Sequence, residues 1–418
     1  PAPNANAAAM AEVRAIEPGR TRRSAPTNGI AHLRENVSNL TITDVQTLVF
    51  KFRSSVVRDE EGHGHPGPAH DATMTLLRVR TSAGVDGYCF GGSPAVGALA
   101  KEMLGGMNPL DRELIFQRMK RIQRLQRRTL LDSDLSVIDQ ALWDFAGKLA
   151  GLPVGKLLGG FRENVPAYAS TMCGDDIPGG LDTPEAYADY AEACQAKGYP
   201  AFKMHTWMPP LDPSPQRVVE ACAAVRERVG PEMKLMLDPH HDSTREEALY
   251  IGRGLEELDF YWIEEPMDEY NVSSYVWLTE QLDLPVVGPE TAEGKVYTRA
   301  EWIVRGAADI SRVGLGDVGG ITPTMKTIHL CEAFGMRCEI HGGGPGALQV
   351  LGAMVIPGEF YERGLMHPHV DFEAQSPWYA EVVDAIDAEG NIAISQKPGL
   401  GVEIDWDFVN ANTVQPWT

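Results

Sequence analysis

From Val165 onward, short apolar runs alternate with longer amphipathic stretches. The runs end near Thr171, His205, Asp238, Glu264, Glu290, Val313 and His341, with a less sharply bounded eighth near Phe360. Between them, PEAYADYAEACQAKG, SPQRVVEACAAVRERVG, TREEALYIGRGLEEL and TPTMKTIHLCEAFG repeat apolar residues at helical spacing. Strand followed by helix, repeated, predicts parallel pairing, and eight such strands suit one closed barrel. The pattern before Val165 is different. TDVQTLVFKF and TMTLLRVRTSAGVDGYCF read as β-rich runs, and the polar stretch RDEEGHGHPGPAHD between them reads as a loop. Residues 94–160 are helical, with LSVIDQALWDFAGKLAG stopped at Gly151. A sheet followed by helices makes an α+β domain. After Pro377, DAEGNIAISQKPGLGVEID carries a hairpin signal and is expected to return to that domain.

The expected organisation is therefore an N-terminal arm over 1–39, an α+β domain over 40–164, a barrel over 165–376 and a returning segment over 377–418. Three of the barrel runs close on an acid: KLMLD on Asp238, FYWIE on Glu264 and LPVVGPE on Glu290. The intervals, 238 to 264 and 264 to 290, are both 26 residues. Each interval fits one strand, one helix and their two loops. Three carboxylates would then meet at the C-terminal ends of adjacent strands, where a barrel carries its chemistry. They would repel one another unless a cation joined them, and oxygen-only ligands favour a hard ion such as Mg2+.

Composition narrows the partners. The 418-residue chain is 43% hydrophobic and 23% charged, as soluble globular proteins are, and is long enough for two domains. A net charge of −21 argues against nucleic acid or an anionic membrane as partner. No 18-residue apolar run exists, and the first 40 residues have no apolar core of a secretory signal. Six scattered cysteines without a CxxC pair read as reduced thiols, so a cytoplasmic location is expected.

WIEEP at 262–266, the paired intervals, GGIT at 319–322 followed by His341, LLGG at 157–160 and PGLGVEID at 398–405 resemble the mandelate racemase branch of the enolase superfamily. The resemblance covers about residues 40–405. It implies a modified (β/α)7β barrel under an α+β capping domain, with Mg2+ held by Asp238, Glu264 and Glu290. Glu265 would then stand just behind the ligands. It also implies a small-molecule carboxylate as substrate, loss of its α-proton to give an enediolate, and a homo-oligomer.

The base candidates follow from register. Lys203 and His205 alternate on one strand and face the same way. Many relatives have Lys-x-Lys here; this chain has Lys-x-His. His205 is expected as a base, with Lys203 lowering its pKa and gripping the substrate carboxylate. His341 matches the family's histidine on the opposite face. The position that usually supplies its orienting Asp is Gly314, and Asp309 and Asp317 lie out of register, so the usual dyad is not expected. His240, two residues past Asp238, resembles the general acid of relatives that dehydrate sugar acids. His241 is expected to cap a helix or face solvent. Arg58, His63 and His65 belong to a segment that closes over the site in relatives, and Glu362 resembles a residue that contacts the substrate carboxylate. The sequence thus points first to dehydration of an aldonate or aldarate to a 2-keto-3-deoxy acid. Racemisation or epimerisation of an α-hydroxy acid is the alternative. A catalytically inactive acid-binding protein, suggested by the missing strand-six Asp, is the third reading.

Overall fold

Eight parallel strands form the barrel of the larger sheet, most of them from runs with small or β-branched residues, with an inward set at every second position. The computed structural model describes residues 37–60, 62–125, 130–209, 213–239, 241–356, 358–370 and 374–418. It divides the chain into Pro1–Leu40 and Thr41–Thr418. The expected arm over 1–39 lies outside the described residues except for 37–39. The strands are β1 (Ile42–Arg58), β2 (Gly64–Thr81), β3 (Gly87–Phe90), β4 (Asn164–Thr171), β5 (Ala201–His205), β6 (Lys234–Asp238), β7 (Trp262–Glu264), β8 (Val286–Gly288), β9 (Ile310–Gly314), β10 (Arg337–His341), β11 (Tyr361–Met366), β12 (Asn391–Ala393) and β13 (Thr413–Gln415). The helices are α1 (Val96–Leu104), α2 (Arg112–Leu125), α3 (Asp132–Ala150), α4 (Val154–Leu157), α5 (Pro184–Ala196), α6 (Pro215–Val229), α7 (Arg245–Glu257), α8 (Val272–Thr279), α9 (Val296–Arg305), α10 (Leu315–Val318), α11 (Ile321–Phe334), α12 (Pro345–Leu351) and α13 (Trp406–Ala411).

The large sheet runs β10-β9-β8-β7-β6-β5-β4-β11, all parallel, with helices between the strands. It is a nearly closed barrel. The caps explain where its helices begin. Thr183, Ser214 and Thr244 each accept a backbone N–H of the first turn of α5, α6 and α7. A separate antiparallel sheet, β13-β1-β2-β3, packs with α1 to α3 as the capping domain. Helix α3 stops at Gly151, which takes the left-handed conformation at φ 67.

Two expectations change. The segment from Arg58 to Asp71 is not a loop. Strands β1 and β2 continue through it as one long hairpin, with Val57 opposite His65 and Arg58 opposite Gly64. Only 59–63 turns. The eighth barrel strand begins at Tyr361, where the sequence suggested that it ended. The segment after Pro377 touches both domains: β12 pairs antiparallel with barrel strand β4, Gly399 and Leu400 of PGLG bond to Leu152, Val154 and Asp144, and β13 joins the capping sheet on β1.

The barrel interior is tiered. Tyr168, Ala201, Met236, Trp262, Val287, Ile310 and Phe360 form a buried apolar floor. Burying a ring such as Trp262 contributes roughly 3 kcal/mol. Two residues further along the strands the inward positions become Ser170, Lys203, Asp238, Glu264, Arg312 and Glu362, all buried. The same alternation that builds the floor therefore delivers a charged tier above it.

Candidate active site

The charged tier is held together by two buried cations. Lys203 Nζ lies 3.3 Å from Asp238 Oδ2, 2.8 Å from Glu264 Oε2 and 3.0 Å from Glu362 Oε1. Burial alone would strip its proton, but Glu264 and Glu362 hold the ammonium well above the usual lysine range. Arg312 reaches Glu264 at 2.5 Å, Glu290 at 3.3 Å and Glu362 at 2.7 Å. Sequence reasoning missed Arg312. The signal was there: ISRVG places it inward, two residues before the strand-end Gly314. Burial works against ionisation of Glu362 too, yet Lys203 and Arg312 keep its carboxyl well below the usual range. Both Glu362 oxygens are thus engaged, although the residue lines the cavity.

Above this tier Asp238, Glu265 and Glu290 converge, each offering an oxygen within 4.8 Å of the others. The third member is Glu265, where Glu264 was expected. Glu264 sits on the inward row of β7, is fully buried and is taken up by Lys203 and Arg312. The next residue has a left-handed backbone, φ 29, and stands on the cavity wall. Burial raises the Glu265 carboxyl well above its ordinary range, and the neighbouring Glu290 and Asp238 charges add to this. That is the signature of too much negative charge in one place. An all-oxygen donor set with excess charge fits a hard divalent cation.

Two histidines flank the cluster. His205, at the end of β5, places Nε2 3.2 Å from Asp238, while its buried Nδ1 has no hydrogen-bond partner among the described residues. Thr171 accepts its backbone N–H and Tyr187 donates to its carbonyl, fixing the strand end. His341, at the end of β10, places Nε2 3.1 Å from Glu290 and Nδ1 2.7 Å from Asp317. Burial would lower its pKa, but Glu290 and Asp317 push it up to about 10.

The Asp317 contact overturns an expectation. The orienting acid comes from α10, just past the strand, and not from the strand end itself. Gly314 permits this: a Cβ there would lie 2.0 Å from Asp317 Oδ2 and 2.9 Å from His341 Nδ1. The missing partner that suggested an inactive protein is present.

Lys203, His205, Asp238, Glu265, Glu290, His341 and Glu362 open on a cavity of about 670 Å³, whose wall also includes His63, Trp207, His241, Thr291 and Leu365. His241 thus lines the cavity, whereas a cap or solvated side chain was expected; His240 lies outside the described residues. His63 meets the edge of Trp207 with ring centroids 5.0 Å apart. His65 also approaches Trp207, at 5.8 Å, but its Nε2 pairs with Asp59 at 2.9 Å and it does not line the cavity. Arg58 is exposed and donates to the carbonyl of Gly62, which is part of the cavity wall, but does not itself line the cavity. These two structure the tip and only His63 faces the cavity.

Comparison with known proteins agrees with this architecture. The model of the enolase C-terminal-domain-like family matches residues 186–408, and the mandelate racemase/muconate lactonizing enzyme N-terminal-domain model matches 63–159. A D-glucarate dehydratase from Agrobacterium tumefaciens, solved with magnesium, is 46% identical, covers 90% of this chain and all of its own, and superposes with a TM-score of 0.87. L-talarate/galactarate dehydratase of Salmonella typhimurium is 28% identical over 369 residues, 85% of each chain. Arabinonate dehydratase of Saccharolobus solfataricus is 29% identical over 366 residues, 80% of this chain and 89% of its own. The chain belongs to the mandelate racemase/muconate lactonizing enzyme family of the enolase superfamily.

Proposed function

We propose that the chain is a lyase, a Mg2+-dependent acid-sugar dehydratase that removes the C2 proton of an aldonate or aldarate and expels the 3-hydroxyl, giving a 2-keto-3-deoxy acid. The observation that carries this reading is a buried carboxylate cluster flanked by two histidines within one cavity. Similarity to dehydratases of glucarate, talarate or galactarate, and arabinonate supports the substrate class.

Asp238, Glu265 and Glu290 would hold the cation. Glu264, the ligand expected from the sequence, stands beside them in the charged tier, bridging Lys203 and Arg312. When bound, the ion supplies positive charge where the substrate carboxylate gains its second negative charge. The α-proton of a carboxylate is very weakly acidic, so the base must be positioned beforehand. His205 takes the C2 proton from one side of the cluster. Asp317 fixes the ring of His341 on the other side, and with Glu290 it keeps a proton there. That suits His341 to protonating the departing hydroxyl, a poor leaving group when unprotonated. His240 remains the candidate for the same task from the loop after β6. The hairpin tip, through His63 packed on Trp207 from the segment after β5, borders the cavity and would limit water around the carbanion.

The placement of one histidine on each side of the cluster also suits proton return from the opposite face, the chemistry of an epimerase. One experiment separates the two. A panel of aldonic and aldaric acids is incubated with enzyme and Mg2+ in deuterated water. Keto-acid formation supports dehydration; C2 exchange with inversion and no keto acid supports epimerisation. His240→Asn that removes elimination but keeps exchange assigns the leaving-group acid to His240. Unchanged elimination leaves that task to His341.

A further inference from the structure

Glu269 and Arg299 are buried, charged and take no part in the proton transfers above. Glu269 spends its oxygens on one short stretch, 289–292, and Arg299 gives its closest bonds to the same stretch, with longer ones to the carbonyls of Arg312 at 3.3 Å and Lys295 at 3.5 Å. Glu269 Oε1 accepts the N–H of Glu290, and its Oε2 accepts those of Thr291 at 2.8 Å and Ala292 at 2.6 Å, with the Thr291 hydroxyl at 3.2 Å. Arg299, from α9, donates to the carbonyls of Pro289 at 3.2 Å, Glu290 at 2.5 Å and Ala292 at 2.8 Å. One side chain takes the donors of the stretch and the other takes its acceptors. Glu269 also follows Glu265 by four residues, so it ties the loop bearing Glu265 to the loop bearing Glu290.

We propose that Glu269 and Arg299 are positioning residues that clamp the Glu290 segment and fix its carboxylate against Glu265 before any cation arrives. The inference rests on the reading that this cluster binds a divalent ion. Three acids that repel one another would otherwise spread apart, and drawing them together would weaken binding. A clamp made of backbone bonds does this work in advance, because it acts on the segment and makes no bond to the Glu290 carboxylate, whose own partners are Arg312 and His341.

The test is Mn2+ and Mg2+ affinity by calorimetry and by electron paramagnetic resonance of Mn2+, on the full chain and on Glu269→Gln. The expected result is a loss of about 10-fold to 100-fold in affinity, with the metal-free melting temperature within a few degrees of the parent. Affinity within twofold of the parent in the folded variant overturns the clamp and leaves the metal site standing. A parent chain that binds neither ion overturns the metal reading itself, and the clamp with it. Hydrogen exchange of the metal-free parent needs no variant. Amides 290–292 are expected to exchange as slowly as those of β8. Rapid exchange that slows only when Mg2+ is added overturns pre-organisation.

Discussion

Gly314 allows the His341–Asp317 pair by having no side chain. Its φ of −106 is open to any residue, so the constraint is contact and not backbone strain. Gly314→Ala should displace Asp317, and His341 with it, lowering kcat about 100-fold while the melting temperature changes little. A normal kcat would show that the pair does not matter to turnover. Asp317→Asn should lower the His341 pKa from about 10 by removing one of the two anions that hold its proton, which NMR titration of the imidazole can read. The pair was illegible in the sequence because register on the strand was the only guide. A short helix after the strand brings an acid back to the same place, and that is a matter of three-dimensional reach.

The β1–β2 hairpin shows the same lesson for an element. Gly, Pro and His in RDEEGHGHPGPAHD read locally as a loop, yet the cross-strand ladder continues through them to Arg58. The tip is organised by Asp59, which accepts the N–H groups of Gly62 at 2.8 Å and His63 at 2.9 Å and the Nε2 of His65 at 2.9 Å. Those bonds outweigh the cost of burial and hold its carboxyl far below the usual range. Asp59→Ala should loosen the tip and raise KM about tenfold, equivalent to about 1.4 kcal/mol, with a smaller change in kcat. Faster hydrogen exchange over 62–65 would accompany it. An unchanged KM would separate the tip from substrate binding. Helices α5, α6 and α7, by contrast, were legible because each combines a helical apolar period with a Thr or Ser cap.

At the scale of the whole molecule, the three converging acids cost stability until a cation joins them. Mg2+ at a hundred times its Kd should stabilise the fold by about 2.7 kcal/mol, read as a rise in melting temperature that a chelator reverses. Glu339 provides a second whole-molecule test, away from the cluster. Burial pushes its carboxyl up from the usual 4.5 to about 8, against the pull of the Glu359 N–H and Arg312. The folded state therefore binds this proton more tightly than the unfolded chain does. The contribution is fully present below pH 4.5 and is lost as pH rises through 8, at about 1.4 kcal/mol per pH unit within that window. Glu339→Gln should flatten this slope in denaturant titrations between pH 5 and 8. A slope identical to the parent would remove Glu339 as its source.

Alternating strand and helix, the equal spacing of the strand-end acids and the inward row through Lys203 and His205 were set by the sequence alone, because periodicity and strand direction are local properties. Which acid faces the cavity was decided only by folding. The row on β7 sends Glu264 into the charged tier, and the left-handed turn at Glu265 brings the next carboxylate to Asp238 and Glu290. Arg312, Asp317 and Glu269 likewise acquire their partners from strands and loops distant in sequence, since Coulomb attraction and hydrogen bonding act through space and not along the chain.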